Sequence, residues 1–140
     1  MTTGPRLLFD TCAAIWFSAA QPLSPPTIEA IKQAAAAGEP ICVSPITAWE
    51  VGLLVSKGRM NLRIAPDRWF ATLLDAPGLE LAAMPPSVLV AASFLSGAEL
   101  RDPADRILAA TAREYGYRLV TRDRPLLDYA KQGHIDALAC

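Results

Sequence analysis

A chain of 140 residues, 52% hydrophobic and 19% charged, has the composition of one globular domain, long enough to bury about two-thirds of its unfolded surface. Its apolar runs fall short of the roughly 18 residues a membrane helix needs, and the start Met1-Thr2-Thr3-Gly4-Pro5-Arg6 lacks a signal-peptide pattern, so a cytoplasmic protein without membrane contact is expected. Three cysteines without CxxC spacing and a single histidine, His134, argue against a disulfide framework, a zinc site and a Ser-His triad, and a net charge of −1 provides no broad basic field.

Arg6 to Asp10 reads as the first strand and Thr11 to Ala19 as a helix, broken by Gln21-Pro22-Leu23-Ser24-Pro25-Pro26. A second helix runs from Pro26 to Ala37 and stops at Gly38; Ile41-Cys42-Val43 is a short buried strand. Ser44 caps and Pro45 opens a helix to about Lys57, which Gly58 ends. Pro66 to Leu74 and Pro86 to Phe94 read as helices with a strand, Leu79 to Ala82, between them. Asp102 caps a helix from Pro103 to Tyr115, Arg118 to Thr121 is the next strand, Pro125 to Lys131 the last helix, and His134 to Leu138 an edge strand. Strands alternating with helices indicate an α/β fold: one domain over residues 1–140, with a central, mostly parallel sheet of about five strands wrapped by helices.

Four of the 14 acids fall where a strand ends or a helix begins: Asp10, Glu50, Asp105 and Asp123. In an open parallel sheet such positions converge on one crevice, and carboxylates gathered there suit a cation. Each also has a local explanation. Asp10 serves as a helix cap, Asp123 as a turn residue before Pro125, Asp105 as a first-turn acid complementing the helix dipole, and Asp102 as a cap. Glu50 is the hardest to explain locally, because its neighbours from Ile46 to Val55 are mostly apolar and an unpaired carboxylate among them is costly. Setting the four acids aside turns the net charge from −1 to +3, compatible with a polyanionic substrate.

Leu7-Leu8-Phe9-Asp10-Thr11, Ser44-Pro45-Ile46-Thr47-Ala48-Trp49-Glu50-Val51, the run Asp102-Pro103-Ala104-Asp105-Arg106 through Ala112, and Leu119-Val120-Thr121-Arg122-Asp123 together, in this order, resemble PIN-domain proteins, specifically the VapC-type toxins of bacterial type II toxin-antitoxin pairs. The resemblance spans nearly the whole chain. It implies a divalent-metal site (Mg²⁺, with Mn²⁺ as substitute) on Asp10, Glu50, Asp105 and Asp123, endoribonuclease activity, a cognate antitoxin and a homodimer, with Thr121 as the hydroxyl residue beside the last acid and Asp102 as a possible accessory. Many relatives carry histidine where this chain has Cys12, a departure that leaves the acids intact.

Phosphodiester cleavage needs an activated water and a stabilised leaving oxygen, both within reach of a carboxylate-held cation. Asp10 and Asp123, next to strand ends, are the expected direct ligands; Glu50 and Asp105 complete the site or act through water, one of them accepting a proton. Arg106, Arg122 and Arg124 flank the acids and either contact RNA phosphates or form a solvated, ion-paired face. Trp16, Trp49 and Trp69 are expected to pack the core, His134 to sit in a turn, Cys42 to be inert core, and Cys140 to fray. Two other classes compete: a PIN-like binding module with little or no cleavage, against which the intact quartet argues, and an aspartyl phosphatase built on Asp10-Thr11-Cys12, which wants a second aspartate where Cys12 stands.

Overall fold

Every strand pairing in the computed structural model, which describes residues 4–97 and 100–140, is parallel. Met1-Thr2-Thr3, part of the stretch read for a signal peptide, lies outside the described residues. The chain runs β1 (Leu7–Phe9), α1 (Thr11–Ser18), α2 (Pro25–Ala37), β2 (Ile41–Val43), α3 (Pro45–Ser56), α4 (Pro66–Leu74), β3 (Leu79–Leu81), α5 (Pro86–Ser93), α6 (Pro103–Tyr115), β4 (Arg118–Thr121), α7 (Arg124–Lys131) and β5 (Asp136–Ala139). These are the elements expected from the sequence, with ends shifted by a residue or two.

Helix starts follow local chemistry. Ser24 accepts from the Thr27 N–H and Ser44 from the Ile46 N–H, each followed by proline, whose missing donor costs nothing in a first turn. Gly38 and Gly116 end α2 and α6 in the left-handed conformation, with φ of 68° at both, where a Cβ would be strained.

Sheet order is β3-β2-β1-β4-β5. Register aligns Leu8 with Cys42 and Leu119, and Phe9 with Val43 and Val120. Because successive strand residues point to opposite faces, these two rows found two cores. Leu8, Cys42 and Leu119 pack under Leu108 and Ala109 of α6 and Leu126 and Tyr129 of α7; Phe9, Val43 and Val120 pack under Ala13 and Ala14 of α1 and Leu73 of α4. All six strand residues are essentially inaccessible, and full burial of each large one stabilises by about 1.5–3 kcal/mol.

The order fixes where a site can form. From β1 the chain moves outward through β2 to β3, then crosses back to lay β4 on the other side of β1 and β5 beyond it. The connections leaving β1 and β4 therefore part in opposite directions, opening a crevice at their carboxyl ends. Hydrogen bonding continues one residue past the strands, the Asp10 N–H donating to Val120 O at 3.0 Å and the Cys140 N–H to Thr121 O at 3.0 Å.

Two expectations are corrected. Cys140 does not fray: it is buried against Leu7, Phe9 and Val120, held by that last ladder bond. Trp49 is not core but 54% exposed, because α3 is apolar nearly all the way round and its sequence does not mark which face meets the sheet. Trp69 packs on the second core as expected, and Trp16 is half-buried beneath the Arg122 guanidinium, 3.4 Å from its ring centre.

Candidate active site

Asp10, the residue after β1, caps α1: its Oδ1 accepts the Ala13 N–H at 2.7 Å, and its Oδ2 accepts the Thr121 hydroxyl at 2.6 Å. Thr121, the last residue of β4 and fully buried, also accepts the Asp123 N–H at 3.0 Å. One hydroxyl thus ties the two strand-end acids across the crevice. Asp123 caps α7, its Oδ2 accepting the Leu126 N–H at 3.3 Å. The capping explanation and the gathering of acids are therefore not alternatives: the turn that lets an aspartate cap also sets it over the sheet's edge.

Glu50 enters from the second turn of α3, the helix that follows β2. Its Oε1 accepts a hydrogen bond from the buried Thr11 hydroxyl. Thr11 lies 3.2 Å from Thr47 Oγ1; with its own proton given to Glu50, it accepts from Thr47. Thr11 and Thr47 had no assigned role in the sequence reading. The signal was present in their spacing: Thr11 directly follows Asp10, and Thr47 sits three residues before Glu50 on the same helix face.

Asp102 caps α6 by accepting the Asp105 N–H at 3.1 Å, and Asp105 lies in the first turn of that helix, half-buried. The acids sense one another. Burial, reinforced by the charges of Asp123, Asp102 and Glu50 and a side-chain hydrogen bond to Asp123, pushes the Asp105 carboxyl up to about 8. Asp10 is pushed up to about 6, chiefly by burial, with the Thr121 and Ala13 bonds opposing and the Asp123 charge adding. Glu50 is raised by burial, then by Asp102, Asp10 and Asp123, against the Thr11 bond. The crevice brings the four acids into mutual range, with Asp102 at its rim.

Among the described residues no three or more His, Cys, Asp or Glu side chains are already closed into a metal-ligand set. The donor chemistry nonetheless suits a hard divalent cation. Every group is a carboxylate, an oxygen accepting one N–H or O–H keeps a further lone pair, and the mutual repulsion that adds to burial in raising Asp10 and Asp105 is one a cation would offset. Magnesium retains waters that span gaps between carboxylates. Cys12 lies beside the crevice, where desolvation, then the charges of Asp10, Glu50, Cys140 and Asp123, push its thiol up to about 11.

The flanking arginines separate. Arg106 Nε and Nη1 donate to Ala92 O at 2.9 Å and Leu100 O at 2.7 Å, clamping the α5–α6 connection. Arg122 lies on Trp16 and donates to Cys140 O at 2.8 Å. Arg124 is exposed at the start of α7.

Comparison with known proteins agrees with this architecture. A PIN domain family model matches residues 7–132. Ribonuclease VapC22 of Mycobacterium tuberculosis is 37% identical over 127 residues, covering 90% of this chain and 91% of that one. Among solved structures, VapBC2 from Rickettsia felis, bound to a DNA fragment from its promoter, superposes with a TM-score of 0.63 at 14% identity, covering 95% of this chain and 97% of that one. A toxin-antitoxin complex from Klebsiella pneumoniae gives 0.57 at 22% identity, covering 94% and 95%. At such identities the two structures speak for the fold alone. Family model, curated relative and five-stranded parallel topology agree, and the chain belongs to the PIN-domain family.

Proposed function

We propose that this chain is a divalent-cation-dependent endoribonuclease acting in the cytoplasm as the toxin of a toxin-antitoxin pair, with residues 1–140 working as one nuclease domain. The observation that carries the reading is the crevice itself: Asp10 and Asp123, tethered through Thr121, with Glu50 and Asp105 close enough to perturb or be perturbed by them. The relative named a ribonuclease supports the reaction class, and the solved neighbours that are toxin-antitoxin assemblies support a protein antitoxin as partner. A homodimer is part of the proposal only as the resemblance to VapC-type toxins implies it.

Asp10 and Asp123 would hold Mg²⁺, or Mn²⁺ in its place, with Glu50 and Asp105 completing the set directly or through water. A divalent cation, when bound, neutralises charge on the phosphodiester and makes a water more acidic. The chain's own groups do the rest. Thr121 and Thr11 orient the Asp10 and Glu50 carboxylates, and one of Glu50 and Asp105, ionised when the cation is held, takes a proton from the attacking water. Arg124 contacts RNA phosphate, whereas Arg106 and Arg122 hold the frame through their carbonyl and ring contacts. Asp102 has an accessory part through its cap on the Asp105 N–H.

The test is cleavage of RNA by purified protein with Mg²⁺, Mn²⁺ or EDTA. Asp10→Asn and Asp123→Asn each remove one charge with little change of shape, and should abolish metal-dependent cleavage, while Asp102→Ala keeps most of it. Normal rates in Asp10→Asn would sink the assignment.

A further inference from the structure

Along α3, Glu50, Leu53, Leu54 and Lys57 recur at the spacing that places them on one helix face, a stripe about 10 Å long at 1.5 Å per residue. The stripe floors a slot of 360 Å³ whose walls include Thr11 and Ile15 of α1, Pro103 and Ala104 of α6, and the indole of Trp49. Glu50 and Asp102 line it, and so do Lys57, two helical turns along from Glu50, and Arg59 just beyond the helix end. Neither cation joins an ion pair among the described residues. Trp49, the residue before Glu50, leaves 54% of its surface exposed.

A carboxylate cluster, an apolar slot with an exposed indole and then two cations form a charge sequence that matches one polymer: phosphate held at the acids through a cation, a planar base, then the next phosphate. We propose that this slot receives the nucleobase adjacent to the scissile phosphate of single-stranded RNA, stacked on Trp49, with Lys57 and Arg59 engaging the neighbouring phosphate. The proposal rests on the ribonuclease reading and deepens it by assigning a positioning subsite. Base stacking on an aromatic face tolerates any base, so the slot sets the path and affinity of the strand and leaves sequence choice to other contacts. An apolar helix from a protein partner would find the same walls, and the antitoxin-binding outcome below separates it from RNA.

With the otherwise wild-type chain, Trp49→Ala should raise KM for a short single-stranded oligoribonucleotide about 10- to 100-fold, the usual effect of losing one stacked base, with kcat nearly unchanged, and Trp49→Phe should recover most of it. An abasic residue next to the cleaved bond should produce the same loss, and should add nothing in Trp49→Ala, because both delete one contact. In Trp16→Phe/Trp69→Phe, where Trp49 is the remaining indole, a non-cleavable 2′-O-methyl oligonucleotide should quench fluorescence, and Lys57→Ala/Arg59→Ala should weaken that titration most at low salt. Wild-type KM in Trp49→Ala, or abasic and Trp49 effects that multiply, would overturn the subsite while leaving the ribonuclease reading intact. Quenching without any RNA cleavage would support the slot and sink the ribonuclease reading. Unchanged RNA kinetics in Trp49→Ala together with lost antitoxin binding would give the slot to a protein helix and overturn the proposal.

Discussion

Asp10 shows how one carboxylate is placed at a cost. Its two oxygens are bonded, yet burial outweighs both bonds and pushes its carboxyl up to about 6 from 3.8. The folded chain therefore holds this proton more tightly than the unfolded one. That preference stabilises fully below about pH 3.8 and is lost as pH rises through 6, leaving the ionised group destabilising by on the order of 2–3 kcal/mol at pH 7. In EDTA, Asp10→Asn should melt several degrees above wild type at pH 7, and the gap should close below about pH 4; a gap independent of pH would show that burial of charge is not its cause. Asp105, pushed up to about 8, answers to the same logic with a cation present. Asp105→Asn should match or exceed wild-type stability in EDTA, yet gain much less from Mn²⁺, where binding at one hundred times the dissociation constant would give wild type about 2.7 kcal/mol. Equal loss in both conditions would make Asp105 a helix-start residue only.

At the scale of elements, three of the acids do a second job. Asp10, Asp102 and Asp123 cap α1, α6 and α7, each through one side-chain oxygen on a backbone N–H. Because a cap acts on the helix end and not on an ion, Asp102→Ala should cost about 1 kcal/mol with or without Mn²⁺, and Asp102→Ser should recover most of it. Thermal melts in the two conditions check this; a loss that appears only with Mn²⁺ would promote Asp102 from the rim to the ligand set. The same double use explains why local sequence leaves Asp10 and Asp123 undecided. A cap and a strand-end acid occupy the same position in a strand-turn-helix unit, so local sequence cannot separate them.

For the whole molecule, the decisive fact is the sheet order, which parts the chain between β1 and β4 and makes the crevice. If that crevice carries the toxic activity, expression without antitoxin should arrest bacterial growth, and Glu50→Gln, which keeps shape and removes charge, should not. Equal arrest by both would trace toxicity elsewhere. Among the described residues no helix is long and apolar enough to cross a membrane.

By itself the sequence determined the order and type of the elements, because proline, glycine and capping residues act within a few positions of themselves: Ser44-Pro45 opens α3, Asp102-Pro103 opens α6, and Gly38 and Gly116 close α2 and α6. It also marked the four acids and the family, since both are carried by ordered local strings. Only the tertiary structure decided which surfaces meet. Thr11 reaches Glu50 across 39 residues and Thr121 reaches Asp10 across 111, partnerships made by strand adjacency that no local pattern encodes. Trp49 turned outward because α3 is apolar on most of its faces and packing alone chose among them, while Cys140 was buried because β5 found an edge beside β4. Local sequence sets what each segment can be; long-range pairing, which depends on the relative stability of whole arrangements, sets what each side chain touches.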